Sequence, residues 1–379
     1  MSELCAGGAR IDITPSVGTS MGGYWERSGA AVGVAAPLYA RAAAFQRGDQ
    51  RCALVSLDLV AVGADSARRI RAHVQERIAL PAAALMVCAS HTHSGPLTLS
   101  YRGMGRLDAD YLARLEQAAS AAVEEAFARV EPVQLRYARA PVHIGVNRRW
   151  EARTGIEHAH VIWCEGRNGA SVTVFHYACH PVVLGAHNRH ISGDFVGEAA
   201  RRIEGQTGGT ALFVNGACGD INPRKTNGTA EDVVELGEEL AAIALETRSR
   251  AKPLAVGSIR SALLAVDLPL SEERPTRRLL IALSVKYALR KILSGSNSGL
   301  LNAARARLQW AVDAARERGE ATQAFSIHGM ALGELVFLGC EGELFARYQL
   351  AAEEASSQCV LLCGLANGCI GYEIGRAHV

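Results

Sequence analysis

Short apolar segments alternate with longer amphipathic ones along most of this chain, and no other feature constrains its fold as strongly. CALVSLDLV (52–60) has the length and branching of a buried strand. ADSARRIRAHVQERIA (64–79) returns its apolar residues at helical spacing, and ALMVCAS (84–90) is strand-like again. Such alternation is the pattern of an α/β protein, so the expected architecture is a mixed β-sheet core flanked by helices. Further helices are expected near 108–130, 231–249, 277–293 and 299–318. Strands are expected near 133–140, 159–165, 171–178, 210–215, 258–268, 325–330 and 334–340. No internal repeat or low-complexity linker interrupts the pattern, which points to one compact domain.

At 379 residues, 49% hydrophobic and 21% charged, the chain can bury a large core and does not read as disordered. The net charge of +2 conceals a skew: Lys225, Lys252, Lys286 and Lys291 are the only lysines, which leaves 40 − 4 = 36 arginines. They are scattered and balanced by acids, so nucleic acid is not an expected partner. The 10 cysteines lie mostly inside apolar runs without C-x-x-C spacing and read as buried thiols. No charged and apolar leader opens the chain and no apolar run reaches the ~18 residues of a membrane span. Neither an integral membrane segment nor export is therefore expected, and the cytoplasm is the simplest compartment. In TRRLLIALSVKYALRKIL (276–293) the basic residues Arg277, Arg278, Lys286, Arg290 and Lys291 spread around the helix, so a packed helix is expected rather than a membrane-surface one.

Chemistry concentrates in three segments. In SHTHSGP (90–96), which comes after a strand-like run, alternation would turn His91 and His93 to one side at the strand's carboxyl end. Two imidazoles there suit a borderline metal such as Zn²⁺, although an isolated His-x-His also fits a polar loop. In FHYACHPVVLGAHNRHISGDF (175–195), His176 and His180 flank another strand end, and His187, His190 and Asp194 come after them. Pro181 ends the ladder, which lets the ring of His180 leave the sheet. The third segment, FVNGACGDINP (213–223), leaves its strand through glycines and carries Asp220 either as a functional residue or as the head of an Asx turn.

Taken together and in order, ARIDITPSVGTSMGGY (9–24), PLYARA (37–42), SHTHSGP, GVNRR (145–149), CHPVVLG with ISGDF, NGACGDINP, EGE (341–343) and NGCIGY (367–372) resemble a known domain. It is the N-terminal catalytic domain of the neutral/alkaline non-lysosomal ceramidases and their shorter bacterial relatives. The resemblance implies zinc as cofactor, with His91, His180, Glu343 and Tyr372 as ligands, His93 lining the site and Arg148 near the substrate. One position departs from the pattern: Asn222 stands where the ceramidases carry a catalytic serine, and an amide side chain cannot serve as a nucleophile.

The expected activity is hydrolysis of a small-molecule or lipid N-acyl amide, with Zn²⁺ lowering the pKa of water towards ~7 and polarising the carbonyl. His93, Arg148, Asp220 and Asn222 are the candidate catalytic residues, His93 as proton shuttle and Arg148 or Asn222 as substrate or oxyanion contacts. Two rivals stand beside this reading: a zinc hydrolase of the same fold acting on another amide or ester, and a non-catalytic metal-stabilised binding domain. No oligomeric state is implied. EIGRAHV (373–379) does not resemble the family's sequence beyond the GY pair. Written as GAG ATC GGA AGA GCA CAC GTC, it matches a common sequencing adapter. The expectation is a catalytic domain over 1–372, incomplete at its carboxyl end and continued by a foreign tail.

Overall fold

The computed structural model describes residues 3–100, 104–149, 155–167, 169–269, 277–293, 299–316 and 322–373. Strands β1 (Cys5–Asp12), β2 (Tyr39–Arg47) and β3 (Gln50–Leu57) run antiparallel, and β4 (Leu85–Ala89) joins β3 in parallel. Helix α1 (Ala64–Ile78) makes the crossover between β3 and β4. It buries Ala67, Ile70 and Val74, packs on α2 (Ala109–Ala128), and ends at Ala79 in the left-handed region, φ 52°. The Asp108 side chain caps α2 by accepting from the Tyr111 amide at 2.9 Å, a contact worth ~1 kcal/mol.

A second sheet repeats the plan. β5 (Gln134–Pro141), β6 (His158–Gly166) and β7 (Gly169–Tyr177) are antiparallel, and β8 (Thr210–Asn215) lies parallel to β7 after α3 (Asp194–Thr207). α4 (Ala230–Arg250) packs on α3 and covers a core that includes Trp163, Phe175, Phe195 and Phe213. The third sheet holds β9 (Ile259–Pro269), β10 (Thr322–Leu332) and β11 (Leu335–Cys340) antiparallel, with α5 (Arg277–Leu293) and α6 (Gly299–Arg316) between β9 and β10. α7 (Ala346–Glu354) then leads to β12 (Cys359–Cys363), parallel to β11.

The mixed α/β architecture expected from the sequence is thus distributed over three sheets, each ending in one parallel pair closed by a helix. The carboxyl ends of these pairs interlock. Gly364 N donates to the Asn215 carbonyl at 3.0 Å, Ala366 N to Cys340 at 2.9 Å and Asn367 N to Val87 at 2.6 Å. Loops from three separate crossovers therefore meet at one place, where α/β folds carry their sites. Arg41 fastens the first sheet to α3 from the other side, bonding Asp58 at 2.7 Å and Glu204 at 2.9 Å in a buried ionic cluster that Arg10 also joins.

α5 packs along α6, yet Ile281, Val285 and Leu289, spaced by four residues on one face, are each more than half exposed. No described helix is long and apolar enough to cross a membrane.

Candidate metal centre

β4 stops at Ala89, two residues before His91, and His91 itself has φ 73°. Strand alternation therefore does not bring the two histidines of SHTHSGP together, contrary to the expectation from their spacing. A left-handed turn does, which a histidine adopts at a cost of ~1–3 kcal/mol and which clusters at functional sites. The amide of His91 donates to the Leu59 carbonyl at 2.8 Å, and the turn brings its Nε2 within 3.3 Å of His93 Nε2. His180 lies just after β7, held by its amide to the Ile221 carbonyl at 2.9 Å. Glu343 lies just after β11, and its amide donates to Gly371 at 2.8 Å. Gly219 lies so close to this segment that a Cβ there would stand 2.5 Å from the Glu343 carbonyl oxygen, so only glycine fits.

Two backbone contacts fix what the rings can do. His91 Nδ1 lies 2.6 Å from the Val60 carbonyl and His180 Nδ1 lies 3.1 Å from the Ile221 carbonyl. A carbonyl only accepts, so each Nδ1 carries the proton and each Nε2 presents a bare lone pair. Those lone pairs face Glu343 Oε2, at 3.4 Å from His91 and 3.2 Å from His180. All three side chains are buried, with His91 2%, His180 1% and Glu343 8% exposed. Three acceptors aimed at one another in a dry pocket repel unless a cation lies among them, so the donor set fits a bound metal. Without a cation, protonation of the rings would relieve this repulsion instead: burial works to raise the Glu343 carboxyl, but the charged forms of His91 and His180 hold it well below the usual range. Burial also lowers the pKa of His180, and it lowers that of His93 further, aided by His91 and His180.

Cys218 completes the cluster. A ring nitrogen of His91, one of His180 and Cys218 Sγ all lie within 4.8 Å of one another. The cysteines as a set read as mostly buried thiols, and Cys218 is buried. The signal that could have singled it out is its place in the same Gly-rich loop as Asp220.

Around this centre, Tyr24 packs edge-on to His93 with ring centroids 5.0 Å apart, and Arg27 donates to the His93 carbonyl at 2.6 Å. Gly23, at φ 96°, leaves room for the His93 ring, which a Cβ would meet at 2.5 Å. Burial lowers the Arg27 guanidinium to about 10. Arg148 reaches over the 216–220 loop and donates to the Gly219 carbonyl at 2.6 Å. Asp220 spends both oxygens on structure, accepting from the Ala346 amide at 2.8 Å and from Asn147 Nδ2 at 3.0 Å. Asn222 pairs with Val146 across a short ladder, and its Oδ1 is buried without a hydrogen-bond partner.

Two solved structures share this arrangement of elements. A neutral ceramidase from Pseudomonas aeruginosa superposes with a TM-score of 0.77 at 19% identity, covering 98% of this chain and 69% of that one. A ceramidase complexed with C2 superposes with a TM-score of 0.76 at 19% identity, covering 98% and 70%. The chain has the neutral ceramidase fold. No family model matches it, and no curated protein matches it in sequence.

Within the ceramidase fold, the histidines, acids and tyrosine singled out in the sequence divide into three groups. His91, His180 and Glu343 meet, with His93 beside them. The backbone of Tyr372 pairs in parallel with Glu343, so the chain passes the centre there. Its side chain, like residues 374–379 of the expected tail, lies outside the described part of the structure. The remaining candidates are elsewhere. His176 bonds the Leu362 carbonyl at 2.8 Å, His187 is exposed, and His190 pairs with Gly33 at a bridge. Asp194 opens α3 at φ 55°, accepts from the Val183, Leu184 and Phe195 amides, and so clamps the 181–194 loop.

Proposed function

We propose that this chain is a zinc-dependent hydrolase cleaving an N-acyl amide bond in a small-molecule or lipid substrate. The observation that carries the proposal is the approach of His91 Nε2 and His180 Nε2, whose Nδ1 atoms face backbone carbonyls, to Glu343 Oε2. His91, His180 and Glu343 would hold the ion, with Tyr372 from the adjoining strand as the further ligand that the ceramidase resemblance implies. A zinc ion so held lowers the pKa of water and polarises a carbonyl.

The protein's own groups supply the rest. His93, whose Nε2 lies 3.3 Å from His91 Nε2, is the proton carrier towards the leaving amine. Arg27 and Tyr24 keep its ring in place. Arg148 at the rim orients the substrate, and Asn222 offers a hydrogen bond to charge developing on the carbonyl oxygen. Asp220 acts by holding the 216–222 loop against α7 and the Asn147 segment.

Asn222 favours a second reading within this class. Where a ceramidase pattern carries serine, this side chain can only donate or accept hydrogen bonds, which is compatible with a different amide or an ester as the scissile group. Assays of zinc-replete protein on N-acyl sphingoid lipids, N-acyl amino acids and simple esters separate these readings. Turnover of N-acyl sphingoid lipids supports the first, turnover of N-acyl amino acids or esters alone supports the second, and no turnover of any class contradicts both.

A further inference from the structure

We infer that Cys218 is a ligand of the metal centre, binding through Sγ as a thiolate beside His91 and His180. This rests on the reading that those two histidines hold a metal. Three observations carry it.

The first is distance. Donors sharing one zinc ion at bond lengths of ~2.0–2.3 Å stand ~3.3–3.8 Å apart in a tetrahedral shell. Cys218 Sγ and a nitrogen of each histidine lie within 4.8 Å of one another, which places the sulfur to share an ion with the two histidines. The second is rigidity. Cys218 N bonds the Gly216 carbonyl at 2.9 Å, its own carbonyl accepts from Ile221 N at 2.9 Å, and Gly219 N bonds Leu344 at 2.8 Å. Ala217 N is tied to Gln349 Oε1 at 3.1 Å. The thiol is therefore carried on a backbone pinned from both sides. The third is its surroundings. Cys218 lies in the same buried core as Cys52 and Cys164, but alone among the described cysteines it is grouped with two imidazole nitrogens.

Ligation converts the thiol to a thiolate: the S–H bond breaks, the sulfur keeps the electron pair and donates it to the cation, and one proton leaves for solvent. A thiolate shifts preference towards borderline and soft ions such as Zn²⁺, Co²⁺ and Cd²⁺, and away from Mg²⁺ or Mn²⁺.

Cobalt titration of chelator-stripped protein tests this without recourse to activity. Wild-type protein is expected to develop a near-ultraviolet thiolate-to-cobalt charge-transfer band that saturates at one equivalent, together with visible d–d bands. Cys218→Ser is expected to keep bound cobalt and its d–d bands while losing the charge-transfer band. Bound cobalt with d–d bands but no charge-transfer band in wild-type protein overturns the assignment of Cys218 and leaves the histidine centre standing, as does a band that persists in Cys218→Ser. If wild-type protein binds no cobalt at all, the metal centre itself is refuted.

Discussion

His180 Nε2 stands 3.2 Å from Glu343 Oε2 although 163 residues separate them along the chain. The contact exists because each residue lies just beyond a strand of a different sheet, and hydrogen bonds among Asn215, Cys340, Gly364 and Ala366 lock those sheet ends together. The site is a property of that junction, so changes that loosen it should register at the metal.

The cluster around Arg41 is the first place to look. Its guanidinium is 3% exposed and neutralises both Asp58 and Glu204. Arg41→Ala leaves two buried carboxylates with their main partner gone and should destabilise the fold by ~3–5 kcal/mol in urea unfolding. A loss under ~1 kcal/mol, the scale of an exposed pair, would show that the cluster does not hold α3 to the first sheet.

His328 should give the fold an acid-side weakness. It donates from Nε2 to the Ala83 carbonyl at 2.8 Å and accepts at Nδ1 from Asn367 at 3.0 Å. Burial pushes its pKa from 6.5 down to about 4. Because the folded value is depressed, the unfolded chain takes up the proton first as pH falls. The contribution is complete above pH 6.5 and is lost as pH falls towards about 4, by up to ~3 kcal/mol. Unfolding midpoints measured between pH 7 and 4 should fall less steeply in His328→Gln than in wild type. Equal slopes would remove this residue from the explanation.

Asn222→Ala should reduce turnover only modestly, since a neutral hydrogen bond contributes ~0.5–1.5 kcal/mol, or about 2–13-fold in rate. Asn222→Ser is the informative companion: a gain of ceramide hydrolysis would show that this position selects the substrate. Ceramidase-level turnover by the unaltered chain would contradict the idea that Asn222 marks a divergent one.

Periodicity exposed α1 because it has a single buried face, and β3 and β4 stood out as short continuous apolar runs, buried on both faces. It missed α3, whose sequence DFVGEAARRIEGQT carries Gly197 and Gly205 and opens at a strained Asp194 inside a His-rich stretch. It also missed α7, which is short and held at its start by Asp220 from a distant loop. Spacing correctly paired His91 with His93 but for the wrong reason, since the φ of a single residue after a strand end is not written in an apolar pattern. Glu343 carried no local signal at all. It came into view through the family resemblance, because its partners are assembled only by the tertiary fold.

The most direct measurement is zinc content by elemental analysis of protein stripped with chelator, reloaded and desalted, for wild type, His91→Ala and His180→Ala. One equivalent per chain in wild type and a clear loss in each variant is the predicted result. Full zinc retained by both variants would place the metal elsewhere and contradict the account.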